Sequence, residues 1–189
     1  MKKLLVIAIT FLAISCKTAE FGFETIDVNG MVYDFSNRPI SNCEISLGRR
    51  YSSSTDINGR FSIPKVPVGT YTLTGYKKSY ENYMDEVLIK DKGQIIYIRI
   101  PSQNQLLNLT DEALSANNLA AAGEMAERAY QIDRNNIETL FYCAAIQFRQ
   151  REYGQAIQSL ETARDLGSKD IYIDKFLTVL REVQNANQE

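Results

Sequence analysis

Few side chains in this 189-residue chain are placed to do covalent chemistry. There is no histidine, which removes the commonest general base and the commonest metal ligand. Ser62 and Lys65 stand at a serine-x-x-lysine spacing, but that chemistry needs the serine to open a helix so that the lysine lies one turn on. Here strand-forming residues precede Ser62, and Pro64 interrupts the interval. Glu81, Asp85 and Glu86 offer carboxylates, yet neighbours on a strand alternate faces, so they read as a solvated edge and not as an acid/base pair. Asp56 and Asn58 bring oxygens to a turn beside Gly59. Calcium takes about six to eight oxygens, and the closing glutamate of a full loop is missing, so a structural turn is expected. No glycine loop has phosphate-binding spacing. One thiol does stand in a reactive context. Cys16 follows Met1-Lys2-Lys3, an apolar run from Leu4 to Ile14, and the small residue Ser15.

The lysines and about eleven apolar residues read as the core of an export signal, too short to span a bilayer. The stretch Ala13-Ile14-Ser15-Cys16 resembles the lipobox of bacterial lipoproteins, with Ala13 where leucine is more usual. The resemblance implies cleavage before Cys16 and lipidation there, giving a signal peptide over 1–15 and a lipidated tether over 16–24. Two or three acyl chains, at about 0.8 kcal/mol per buried methylene, would hold the chain on a membrane of the bacterial cell envelope. Lys17 is not the aspartate that retains some lipoproteins in the inner membrane, which points to the outer one. A secretory signal cut elsewhere, or an uncleaved anchor, is the alternative reading.

The remainder is globular in composition: 44% of residues are hydrophobic and 23% charged. A formal charge of −2 gives no electrostatic case for nucleic acid. Residues 17–101 carry 11 basic and 10 acidic side chains, residues 102–189 carry 8 and 13, so the second part is distinctly acidic. Cys43 falls in a period-two apolar pattern and Cys143 in a helical stripe. Both are expected as buried thiols of separate modules.

From 25 to 101 the pattern is one of short strands: Ile26–Asp34, Cys43–Leu47, Arg60–Ile63, Thr70–Tyr76, Asn82–Ile89 and Gln94–Ile100. Turn residues separate them, as in Ser36-Asn37-Arg38-Pro39, Asp56-Ile57-Asn58-Gly59, Val66-Pro67-Val68-Gly69 and Asp91-Lys92-Gly93. The spacing predicts a small antiparallel β-sandwich. Gly30-Met31-Val32-Tyr33-Asp34, Pro39-Ile40, Thr55 to Ile63 and Val66 to Leu73, in that order, resemble the carboxypeptidase regulatory-like domain, a transthyretin-like sandwich. That resemblance implies an accessory module with no catalytic residues of its own.

From 102 to 189 the texture becomes helical. At an offset of 34 residues, Leu119, Ala122, Ala126 and Ala129 align with Tyr153, Ala156, Leu160 and Ala163. Residues 137–170 resemble a tetratricopeptide repeat, with Arg151 where glycine is usual, and 103–136 read as a more divergent copy. The last helix, from Ile171, reads as a cap, so about five helices are expected. The fold class is therefore a β-sandwich followed by a short helical array, joined by a tether over Pro101–Gln105, with the sandwich packed against the array.

The array carries the functional expectation: a non-catalytic protein with no cofactor or metal, recognising a cell-envelope protein partner. Phe141, Phe148, Arg149, Tyr172 and Lys175 are the candidate contacts, an apolar groove with a basic rim suited to a helix or extended segment. Phe141 and Phe148 could instead be covered by the sandwich. Arg49-Arg50-Tyr51 and Tyr76-Lys77-Lys78, with Tyr80 and Tyr83, suggest polysaccharide as an alternative ligand, since tyrosines stack on sugars and lysines meet anions.

Overall fold

The computed structural model describes residues 24–168 and 171–186; the expected leader, the expected lipidation site Cys16 and nearly all of the expected N-terminal tether lie outside them. Seven strands come first: β1 (Thr25–Tyr33), β2 (Glu44–Leu47), β3 (Tyr51–Ser54), β4 (Arg60–Pro67), β5 (Gly69–Tyr76), β6 (Tyr83–Ile89) and β7 (Ile95–Arg99). They form two sheets, β4-β1-β7 and β3-β2-β5-β6. Alternate residues of each meet in one core, where Val32, Ile45, Leu47, Ile63, Leu73, Ile89 and Ile98 are fully buried.

Three details depart from the sequence reading. β3 forms from Tyr51-Ser52-Ser53-Ser54 because Gly48, at φ 60°, turns the chain back and pairs Leu47 with Tyr51. β1 and β7 run parallel, Asn29 beside Ile95 through Tyr33 beside Arg99, although every other pair is antiparallel. β4 continues past Pro64 to Pro67. It is an edge strand, so the missing proline N–H groups need not break a ladder. Lys65 takes φ 56° there, the β1–β4 register slips between Ile26 and Val28, and Asp27 Oδ1 accepts the Lys65 N–H at 3.0 Å.

Two loops use one device. Asp34 Oδ1 accepts the N–H groups of Ser36 (2.8 Å) and Arg38 (2.9 Å), and Asp56 Oδ1 accepts those of Asn58 and Arg60 (both 2.8 Å). Each turn closes with a residue at positive φ just before the arginine, Asn37 at 58° and Gly59 at 73°. The carboxylate of Asp56 is thus engaged in shaping the chain. Among the described residues, no three His, Cys, Asp or Glu side chains are grouped to hold a metal.

Five helices follow: α1 (Gln103–Ser115), α2 (Leu119–Ile132), α3 (Ile137–Arg149), α4 (Tyr153–Asp165) and α5 (Ile171–Ala186). Their starts repeat every 34 residues, at 103, 137 and 171 and at 119 and 153, as the self-alignment predicts. Asn118 and Asn136 cap α2 and α3 by accepting N–H groups three residues on. The turns after α1, α3 and α4 each place one residue in the left-handed region: Asn117 (54°), Arg151 (65°) and Gly167 (94°). Ala122, Ala126, Ala129, Ala144, Ala156 and Ala163 are all buried, so adjacent helices approach closely.

Where α1 and α3 bury Leu106 and Leu140, the equivalent residue of α5 is the exposed Asp174. A polar residue there lets α5 end the stack in water. Among the described residues, no helix is long and apolar enough to cross a membrane.

The expected tether is not a free linker. Ser102 and Gln105 form a capping box, so α1 begins as soon as the sheet ends. Glu81 N–H bonds the Pro101 carbonyl and Gln103 N–H bonds that of Ser79, both at 3.0 Å. The buried Gln103 amide then donates to the Ala129 carbonyl (3.1 Å) and to Thr139 Oγ1 (3.2 Å), tying α1 to α2 and α3.

Candidate functional site

The junction just described creates a cleft. The β5–β6 loop leaves the sheet as Lys77-Lys78-Ser79-Tyr80-Glu81 and meets α2, where Glu81 makes a two-point ion pair with Arg128. Nε to Oε1 and Nη2 to Oε2 are both 2.8 Å, and each side chain is only 29% exposed. That contact raises the Arg128 pKa, against the opposing effect of burial. No local pattern signals this pair, because the partners are 47 residues apart and Glu81 reads as a solvated carboxylate. A cavity of about 240 Å³ opens beside the pair, with Tyr76, Lys77, Lys78 and Tyr80 on its sandwich side. Tyr80 packs on the sandwich core and Tyr76 is exposed. Tyr83 lies against the same core and donates to Asp85 at 3.2 Å; burial, then that carboxylate, pushes its phenol pKa up.

The second basic and aromatic run lies elsewhere. Glu44 pairs with Tyr76 and Leu47 with Leu73, so Arg49-Arg50-Tyr51 lies at the opposite end of the sheet from Lys77-Lys78. There Tyr51 and Tyr71 stack edge to face at 6.0 Å, and a shallow hollow opens between the β2–β3 turn and Val68. The two runs make separate surfaces.

In the helical part, Phe141 and Phe148 are half-buried against α5. Phe176 sits between them, 6.2 Å from Phe141 and 5.6 Å from Phe148 between ring centres. The rings are covered by the last helix and not by the sandwich. Arg149 is exposed and donates to the Leu114 carbonyl at 3.2 Å. On α5, Tyr172 is 66% exposed with Lys175 Nζ 5.8 Å from its ring centre. Tyr172 and Lys175 therefore present a surface, while the two phenylalanines hold α3 to α5.

On the other side of α3 runs a polar groove of about 330 Å³ between α2 and α4. Cys143 and Leu140 lie in its floor, with Glu127, Gln147 and Gln158 along it. Burial pushes the Cys143 thiol up to about 11, with Glu127 adding to the shift. Cys43, in the sandwich core, is likewise raised to about 11 by burial. Both are free thiols held in their neutral form at physiological pH.

Residues 27–98 match the family model of the carboxypeptidase regulatory-like domain. The match covers the sandwich and stops before the helices. No curated protein matches the chain. Solved structures with similarity include a type II cohesin–X-dockerin complex from Acetivibrio cellulolyticus, at 23% identity over 41% of this chain and 58% of that one, with a TM-score of 0.36. The major pilin subunit of Bacillus cereus gives 15% identity over 42% and 29%, with a TM-score of 0.34. A 3-chlorocatechol 1,2-dioxygenase from Rhodococcus opacus gives 14% over 42% and 60%, with a TM-score of 0.32. The chain thus spans about three fifths of the first and third of these and under a third of the pilin.

Proposed function

We propose that this chain is a non-catalytic binding or assembly protein of the bacterial cell envelope, anchored by lipid at Cys16, that recognises a protein partner through its helical part. The observation that carries the reading is the 34-residue spacing of the helix starts, closed by an α5 that puts the exposed Asp174 where α1 and α3 bury leucine, which is the build of a short tetratricopeptide-like array. Such arrays bind by surface shape, and the regulatory-like sandwich, hydrogen-bonded to α1, sets the array's orientation above the membrane. Tyr172, Lys175 and Arg149 form the exposed part of the contact.

The test is affinity capture from detergent-solubilised envelope with the full chain as bait. A co-purifying protein lost with Tyr172→Ala/Lys175→Ala, but kept with Tyr76→Ala/Tyr80→Ala, supports the reading. Its retention in both would sink it. The junction cavity lined by Tyr76, Lys77, Lys78 and Tyr80 favours a second reading, an accessory protein for anionic polysaccharide. Retention of envelope polysaccharide on the immobilised chain, abolished by Tyr76→Ala/Tyr80→Ala, would select it.

A further inference from the structure

The four sheet edges of the sandwich are not alike. An open edge offers a row of backbone N–H and C=O groups to any passing strand, and proteins blunt it with charge, proline, a bulge or brevity. β3 is a four-residue Tyr-Ser-Ser-Ser strand; β4 carries Pro64, Pro67 and the Lys65 bulge; β6 carries Asp85 and Glu86 at its middle. β7, of five residues, has neither proline nor bulge and no charge at its middle. It reads Ile95-Ile96-Tyr97-Ile98-Arg99, with its one charge at the last position. Ile96 and Ile98 are buried, whereas Ile95 is 51% and Tyr97 65% exposed on the outer face.

The backbone on that edge is also accounted for. In a parallel ladder alternate residues bond to the neighbour, and the Ile100 N–H donates to the Tyr33 carbonyl at 3.0 Å. Ile96 and Ile98 therefore face β1, and the N–H and C=O groups of Ile95, Tyr97 and Arg99 lie on the open side. The apolar outer face continues inward, since Tyr97 pairs with Met31 and Arg99 with Tyr33.

We propose that β7 is a dimerisation edge: a second copy of this chain lays its own β7 antiparallel against it about a two-fold axis at Tyr97, joining two three-stranded sheets into one of six. The sequence of the edge is self-complementary in that register. Tyr97 meets Tyr97 of the second copy, and Ile95 meets Arg99, whose guanidinium is held over the Phe35 ring and on the Phe35 carbonyl of its own copy, leaving the aliphatic stem to pack on Ile95. Three outward-facing residues per strand give about six interchain hydrogen bonds. The two arginines lie four residues apart along the ladder, about 13 Å, where salt screens their repulsion. Asp85 and Glu86 would set like charges against one another if two β6 edges tried to join, which disfavours that pairing relative to the β7 edge. A closed two-fold is also the commonest symmetry of homo-oligomers.

Cysteine scanning of the full chain in membranes tests the register. Opposed residues of such a pair have Cα atoms about 5.5 Å apart, within disulfide range, whereas residue 95 of one copy is about 13 Å from residue 95 of the other. Under mild oxidation, Tyr97→Cys gives a covalent dimer on a non-reducing gel and Ile95→Cys does not, while Ile95→Cys/Arg99→Cys restores it. Cys43 and Cys143 are present in every variant and serve as the background. In detergent the unsubstituted chain sediments as a protein dimer, and Tyr97→Lys, on an exposed position, sediments as a monomer with unchanged Tm. A monomeric unsubstituted chain, equal cross-linking at 95 and 97, or a dimer surviving Tyr97→Lys overturns the proposal.

Discussion

Arg151 holds φ at 65° in the turn after α3, as Asn117 does at 54° in the equivalent turn after α1, whereas the turn after α4 uses Gly167. A side chain with a Cβ costs about 1 kcal/mol in that region, so Arg151→Gly should stabilise the helical part by roughly that amount, read as a higher denaturation midpoint. Asp34 makes the opposite kind of contribution. Burial raises its pKa, but the N–H groups of Arg38 and Ser36 and the Arg38 guanidinium at 2.9 Å outweigh that and hold the carboxyl below its ordinary value. A depressed carboxylate stabilises the fold in full above its unfolded pKa of about 3.9, and the contribution is lost as pH falls through the native value. Asp34→Ala should therefore lower stability by about 1–3 kcal/mol at neutral pH and flatten its decline below pH 4, measured by denaturant titration across pH.

At the level of elements, Gly30 is the tightest point of the sandwich. A Cβ there would collide with the Phe61 ring and lie 2.6 Å from the Ile96 carbonyl oxygen, so both neighbouring strands would have to move. Gly30→Ala should cost about 3 kcal/mol, enough to show as a large drop in Tm or in soluble yield. The helices were legible in the sequence because their information is local and periodic: alanines at fixed offsets and a repeat length that the starts at 103, 137 and 171 reproduce. Strands with apolar alternation were legible for the same reason. β3 was not, since three serines carry no alternation and the strand owes its existence to the turn at Gly48. Nor was the parallel partnership of β1 and β7, because residues 66 positions apart choose their neighbours through the closed core. The candidate site fared likewise. Exposure of Tyr172 and Lys175 follows from the α5 stripe, but the capture of Phe141 and Phe148 by Phe176 depends on how α5 docks.

For the whole molecule the decisive feature is the junction. Glu81 and Arg128 join loop to helix at 2.8 Å, and backbone hydrogen bonds from Glu81 and Gln103 cross the same boundary. A double-mutant cycle on Glu81→Gln and Arg128→Met should return about 1 kcal/mol of coupling, with both parts unfolding in one transition in the parent chain. Two well-separated transitions would contradict it. The parallel pairing of β1 with β7 has a mechanical corollary. β1 opens the sandwich at its amino-terminal end, and β7 runs straight into the helices. Traction between those ends pulls the two strands along their length in opposite senses, so the ladder is loaded in shear. Its hydrogen bonds must then yield together instead of unzipping singly, so the sandwich resists force applied between those two ends.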